Sequence, residues 1–142
     1  MDPVDKAEEL FLSGCNCAQA VFTACAVGEF GLDETLAKDV SCGLGGGVGR
    51  MREVCGAVSG AAMVLGMRSG GDKVKAYPVI QEFCERFKKE AGSIVCRELL
   101  EGIGATSGGV PETRNWAYYH KRPCLELVKL AVRLLNEKRV LN

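Results

Sequence analysis

Eight cysteines in 142 residues are the side chains of this sequence with the most distinctive chemistry. Four of them fall where the pattern predicts the first turn of a helix: Cys17, Cys55, Cys96 and Cys124. A helix N-terminus carries unpaired N–H groups and the positive end of the macrodipole, which together favour a thiolate over a thiol. The thiolate is both a nucleophile and a metal ligand. If these helix ends converge, the four cysteines predict a site for thiol redox chemistry or metal binding.

The other four cysteines lie elsewhere on the predicted helices. Cys25 and Cys84 are expected in mid-helix on apolar faces, Cys42 at a helix C-terminus, and Cys15 just before a helix cap. Free cysteine is one of the most buried residue types, so these four are interpreted as packing residues. The same interpretation stays open as an alternative for the first-turn cysteines. The sequence contains no C-x-x-C motif, so any cysteine site must be assembled from distant segments.

A glycine-rich stretch, residues 43–49, precedes the predicted helix that carries CGAVSG. It matches neither nucleotide-binding glycine pattern, and no strand precedes it. Its backbone N–H groups can bind an anion, with Arg50 and Arg52 close by. We interpret it instead as a tight turn that brings Cys55 near another backbone.

The only histidine, His120, lies in the aromatic segment WAYYHKRPC just before Cys124. It is a candidate general acid, metal ligand or proton relay, although a single loop histidine is more often solvated. Trp116, Tyr118 and Tyr119 either cover a pocket or anchor the long loop to the core. No Ser-His-Asp or H-E-x-x-H arrangement supports a hydrolase.

The elements that must position these residues are helical. Apolar residues recur at helical spacing and β-alternation is scarce, which predicts an all-α, single-domain bundle of about six or seven helices over residues 1–142. The predicted helices begin near Pro3, Cys17, Asp33, Glu53, Asp72, after a cap at Ser93, and at Pro123, with Pro78 at a start or kink and the last helix running to Val140. Residues 102–122 are expected to form a loop with a helical aromatic end.

Composition narrows the functional classes. With 47% hydrophobic and 25% charged residues, the chain is expected to fold by itself, and a formal net charge of +0 argues against nucleic-acid binding. The acidic start MDPVDKAEELFL lacks the features of a secretory signal, and the longest apolar run, residues 54–67, is too short to cross a membrane. These features predict a cytoplasmic protein without membrane insertion, a setting that disfavours a static disulfide framework.

Several segments of the chain resemble one known family. Gly14, Asn16-Cys17 and the following AQAV, then CGAVSG at residues 55–60, then Cys96 and Cys124, resemble the redox-active family C_GCAxxG_C_C, which is named after its four cysteines. The resemblance covers nearly the whole chain, and CGAVSGA after GLGGGVG is its most specific part. It implies a small helical protein that performs redox chemistry with those four cysteines.

Three functional hypotheses follow. The first is a redox protein, either a thiol-dependent oxidoreductase or an electron carrier, in which two or more of the four cysteines meet and exchange electrons with an unidentified redox partner. The second keeps the same four cysteines as ligands of zinc or an iron–sulfur cluster, since a segment similar to this family's occurs in split-Soret cytochromes with an associated iron–sulfur centre. The third is a helical interaction protein with packing cysteines. The small-residue face of the Cys55 helix suits either a homodimer or a monomer core.

Overall fold

Eight α-helices form the framework of residues 1–137, the part of the chain that the structure, a computed structural model, describes. They are α1 (Pro3–Leu12), α2 (Cys17–Phe30), α3 (Glu34–Ser41), α4 (Gly56–Arg68), α5 (Lys73–Ala91), α6 (Cys96–Leu99), α7 (Trp116–Lys121) and α8 (Cys124–Asn136). The all-α prediction is confirmed. The helix count exceeds the predicted six or seven because the aromatic end of the long connection forms α7.

The first three helices begin at the predicted caps. The Asp2 carboxylate accepts a hydrogen bond from the Val4 N–H at 2.7 Å. Asn16 and Gln19 form a reciprocal capping box, in which each side-chain oxygen accepts from the other residue's backbone N–H at 2.8 and 2.9 Å. Asp33 caps α3 by accepting from a backbone N–H in its first turn. These local hydrogen bonds fix the start of α2, and with it the position of Cys17.

Helix α2 is the centre of the core. Its residues from Cys17 to Ala26 are buried apart from Gln19, and it packs against α1, α3, α4 and α8. Its closest neighbour is α4, whose Gly60 lies so near α2 that a Cβ there would stand 2.9 Å from the Ala18 carbonyl oxygen. The predicted small-residue face of α4 therefore packs on a helix of the same chain.

Two predicted helix starts are wrong, for one shared reason. Helix α4 begins at Gly56 instead of near Glu53, because residues 53–55 are extended and pair antiparallel with residues 94–96. In this pairing the Cys55 N–H donates to the Ile94 carbonyl at 2.8 Å, and the Cys96 N–H donates to the Glu53 carbonyl at 2.5 Å. Helix α6 accordingly starts at Cys96, with Val95 as its cap residue.

Ser93 does not cap α6 as predicted. Its hydroxyl accepts from the Val95 N–H at 2.9 Å and donates to the Glu98 carboxylate at 2.5 Å, so it stabilises the turn before the helix. Pro78 lies inside α5. The last helix ends at Asn136, and the predicted continuation over residues 138–140 lies outside the described residues. Among the helices of residues 1–137, none has the length and apolar character that a membrane crossing requires.

Candidate functional site

The four cysteines predicted at helix starts line one small cavity of about 40 Å³. Cys17, Cys96 and Cys124 are the first residues of α2, α6 and α8, and Cys55 is the residue just before α4. All four are buried. Packing of the four helices thus brings together cysteines from both ends of the chain, and each lies at a helix N-terminus or immediately before one.

Cys17 and Cys124 interact with each other in this cavity. A side-chain hydrogen bond joins them. The hydrogen bond and burial raise the pKa of Cys17 well above the ordinary value. The same hydrogen bond lowers the pKa of Cys124, against the effect of burial and with help from the guanidinium groups of Arg122, Arg52 and Arg114. In this pair Cys124 therefore ionises more readily than Cys17.

Cys55 and Cys96 occupy different surroundings. Burial raises the pKa of Cys55 to about 12, although the backbone amides of Ala57 and Val58 act in the opposite direction. Arg52 Nη1 lies 3.6 Å from the Cys96 sulfur. The expectation that a helix N-terminus lowers the cysteine pKa is therefore correct in direction for Cys124 and wrong for Cys17 and Cys55, where burial or a neighbouring thiol outweighs the helix end.

The donor set of the cavity consists of thiols, which suits zinc or an iron–sulfur cluster chemically. Their placement does not suit a metal, because within residues 1–137 no group of three or more His, Cys, Asp or Glu side chains is arranged to hold an ion.

A cluster of arginines around Glu112 stands next to the cysteines. Glu112 Oε1 accepts from Arg50 at 2.6 Å, from Arg52 at 3.1 Å and from Arg122 at 2.6 Å. The hydrogen bond from Arg122 is the largest cause that lowers the pKa of Glu112 to about 2. Sequence reasoning singled out Arg50 and Arg52 beside the glycine stretch but missed Glu112, Arg114 and Arg122. Their only signal in the sequence was the length of the connection that carries them.

The glycine-rich stretch, predicted to be a tight turn, forms a 3-10 turn (Cys42–Leu44) and a short helical turn (Gly45–Val48) that is kinked at Gly46 and Gly47, and it places the arginines. Gly47 has φ +67°, and a Cβ there would lie 2.6 Å from the Glu53 nitrogen and 2.9 Å from the Cys96 Cβ. Val48, Arg50 and Arg52 also have positive φ, a conformation that non-glycine residues rarely adopt. The side-chain hydrogen bonds of Arg50 and Arg52 to Glu112 and to Thr106 hold this strained loop beside the cavity.

Part of the aromatic segment contacts the cavity or the core, and part of it is exposed. Tyr118 lines the cavity, with the guanidinium groups of Arg114 and Arg122 at 4.4 and 4.6 Å from its ring centre. Tyr119 packs edge-on against Phe11 and so anchors the segment to the core. The structure does not bring His120 or Trp116 to the cysteines: the two rings stack on each other at 4.4 Å, and both residues are exposed.

The remaining cysteines lie outside the cavity. Cys25 is buried in α2, where burial raises its pKa to about 11, and Cys15 and Cys84 are partly buried. These three agree with a packing role. The packing prediction is wrong for Cys42, which follows the last residue of α3 and is exposed.

Comparisons with known proteins bear on the same cysteines. Neither the curated protein sequences nor the solved structures contain a match to this chain. Residues 15–138 match the family described as "Putative redox-active protein (C_GCAxxG_C_C)", a range that includes every cysteine of the cavity. Since the match covers most of the 142 residues, the chain belongs to the C_GCAxxG_C_C family of redox-active proteins.

Proposed function

We propose that this protein is a thiol–disulfide redox protein in which Cys17 and Cys124 alternate between a dithiol and a disulfide. The observation that carries the proposal is the burial of both cysteines in one cavity bordered by arginines, where their side chains interact. The Cys124 thiolate is the attacking group, because the hydrogen bond from Cys17 and the nearby guanidinium groups stabilise its negative charge. Cys17 is the resolving thiol.

The reaction uses a substrate disulfide as the oxidant. The Cys124 thiolate attacks one substrate sulfur, a mixed disulfide forms, and the other half leaves as a thiolate. Cys17 then gives its proton to a departing thiolate and attacks the Cys124 sulfur, which releases the second half. In total the protein thiolate–thiol pair loses two electrons and one proton, and the substrate disulfide becomes one thiol and one thiolate, which takes its proton from water.

Cys55 and Cys96 line the same cavity in supporting positions. The antiparallel pairing of residues 53–55 with 94–96 holds them together. The pKa of about 12 keeps Cys55 protonated at neutral pH. Arg52 connects this side of the cavity to the arginine cluster, since it contacts both the Cys96 sulfur and Glu112.

Disulfide mapping tests the proposal directly. Reduced protein is treated with bis(2-hydroxyethyl) disulfide, and its cross-links are identified by mass spectrometry of proteolytic fragments. We expect a Cys17–Cys124 disulfide in the wild type and in the matched control Cys84→Ser, whose cysteine lies outside the cavity. We expect a persistent mixed disulfide on Cys124 in Cys17→Ser, because the resolving thiol is missing. An oxidised wild type without the Cys17–Cys124 bond would refute the proposal.

Metal analysis separates this proposal from the ligand hypothesis. Protein purified without oxygen and without a histidine tag is examined by visible spectroscopy and assayed for iron, zinc and acid-labile sulfide. Thiol–disulfide exchange predicts a colourless protein that contains no stoichiometric metal. This protein should form the Cys17–Cys124 disulfide with bis(2-hydroxyethyl) disulfide. Visible absorption with stoichiometric iron and sulfide, or one zinc per chain, would show that these cysteines are ligands.

The packing hypothesis makes a different prediction for the same cavity. If the four cysteines only fill space, Cys→Ser changes at Cys17, Cys55, Cys96 and Cys124 alter stability and leave any partner binding intact. Loss of disulfide reactivity in Cys124→Ser with retained folding, measured by circular dichroism, supports the redox proposal instead.

A further inference from the structure

A second, larger cavity of about 350 Å³ lies beside the cysteine cavity and shares part of its wall. Arg52, Tyr118 and Arg122 line both cavities. A ligand in the larger cavity, which we call the arginine cleft, is therefore next to the cysteines.

The arginine cleft is strongly positive. Its charged lining residues are Arg50, Arg52, Arg114 and Arg122, against the single carboxylate of Glu112. This excess of cations contrasts with the formal net charge of +0 for the whole chain. Low-dielectric walls lined by one sign of charge concentrate the opposite ion and raise its association rate.

Arg122 still has donors for a ligand. It bonds to Glu112 through Nη2, and within residues 1–137 its Nε and Nη1 make no hydrogen bond. The side chain is only 7% exposed, so these donors are little hydrated by bulk water. The arginine guanidinium stays charged and donates charge-assisted hydrogen bonds to carboxylates, and Nε and Nη1, which lie on different sides of the Arg122 guanidinium, can each donate one.

Resting on the redox function proposed above, we propose that the arginine cleft binds the substrate, and that this substrate is a small disulfide or thiol carrying carboxylates. A volume of about 350 Å³ falls in the usual range of small-molecule sites. The cysteine cavity of about 40 Å³ admits little more than a sulfur atom and its neighbours. The body of the substrate must then lie in the cleft, with its carboxylates on the arginines and its sulfur toward Cys124.

Three disulfides with the same two-carbon arms test the charge preference: the anion dithiodipropionate, the neutral bis(2-hydroxyethyl) disulfide and the cation cystamine. The rate of Cys17–Cys124 disulfide formation is measured for each and divided by the rate of the same disulfide with dithiothreitol. At low ionic strength we expect the normalised rate of the anion to exceed that of the neutral disulfide by about tenfold or more. Salt should shrink this ratio.

Substitutions in the arginine cleft test whether the preference for the anionic disulfide arises there. Pro111 is an exposed lining residue, so Pro111→Glu adds a negative charge without removing an arginine contact, and Pro111→Gln is its uncharged equivalent. We expect the anion-to-neutral ratio of Pro111→Glu to be several-fold below that of Pro111→Gln. Arg133→Gln, which removes an exposed arginine on α8 outside the cleft, should keep the wild-type ratio.

The two proposals fail in different ways. If bis(2-hydroxyethyl) disulfide forms the Cys17–Cys124 bond but the anion-to-neutral ratio is close to one at low salt, the cleft proposal is wrong and the redox function stands. If no disulfide forms that bond, the redox function is wrong. Binding of suberate, an unreactive dicarboxylate of the same length as dithiodipropionate, then tests the cleft alone by calorimetry. Equal suberate affinity in Pro111→Glu and Pro111→Gln would overturn it.

Discussion

Cys17 and Cys124 occupy the same kind of position, the first residue of a buried helix, yet their pKa values shift in opposite directions. The helix N-terminus is common to both, so it cannot cause the difference. The guanidinium groups of Arg122, Arg52 and Arg114 lower the pKa of Cys124, whereas the neighbouring cysteines and burial raise the pKa of Cys17. At the residue scale, the neighbouring side chains decide which of the two cysteines ionises more readily.

Glu112 gives a residue-scale prediction about pH. Its pKa of about 2 lies below the ordinary 4.5, so its carboxylate stabilises the folded state above about pH 4.5, and this stabilisation is lost as the pH falls toward 2. We expect Glu112→Gln to lower the free energy of unfolding by about 1–2 kcal/mol at neutral pH, allowing for partial exposure. Urea titrations at several pH values should show that the difference in unfolding free energy between the wild type and Glu112→Gln becomes smaller below pH 4.5. A difference that is constant with pH, or equal to that of the exposed control Glu101→Gln, would contradict this prediction.

At the element scale, the contact between α2 and α4 places Cys17 beside Cys55. The two helices approach so closely because α4 presents glycines to the backbone of α2: a Cβ at Gly56 would lie 3.1 Å from the Ala18 nitrogen, and one at Gly60 2.9 Å from its oxygen. A backbone atom cannot move aside as a flexible side chain can. The spacing of glycines on α4 is therefore a requirement of the site as well as of the core.

Two alanine substitutions in α4 test this requirement. We expect Gly60→Ala to lower the free energy of unfolding by about 1–3 kcal/mol, because the new methyl group meets the backbone of α2. Gly66→Ala, on the same helix with open space around the Cβ position, should raise it by about 0.5–1 kcal/mol through helix propensity. Denaturant unfolding of the reduced proteins measures both. Equal effects of the two substitutions would show that close packing is not the cause.

At the scale of the whole molecule, the cavity brings together a helix start near the beginning of the chain and another near its end. Cys17 begins the second helix and Cys124 the last, and α1, α2 and α8 pack together in the core. A bond between these cysteines would enclose most of the protein in one loop. The redox state of the pair is therefore expected to control global stability.

Oxidation should stabilise the fold. Closing a loop of about 100 residues contributes up to about 4.7 kcal/mol by restricting the unfolded chain. We expect the oxidised wild type and oxidised Cys84→Ser to unfold at higher urea concentration than their reduced forms, and Cys17→Ser to show no such gain. If oxidation instead lowers the midpoint of the wild type, the native cavity does not accommodate the bond.

The sequence by itself determined most of the helices and the four candidate cysteines. Helical periodicity and the caps at Asp2, Asn16 and Asp33 are local, so they can be read from neighbouring residues. Helix-start logic and the family resemblance both singled out the four cysteines that line the cavity. The same logic misplaced the starts of α4 and α6, because the pairing of residues 53–55 with 94–96 depends on a distant segment.

Only the tertiary structure decided how the cysteines differ and what surrounds them. Burial, the hydrogen bond between Cys17 and Cys124 and the arginines around Glu112 arise from contacts between residues far apart in the chain. A pKa depends on the charges and solvent within a few ångströms of the group, and sequence separation carries no information about those distances. The cysteines are therefore visible in the sequence, whereas their different pKa shifts and the arginine cleft beside them arise only in the folded chain.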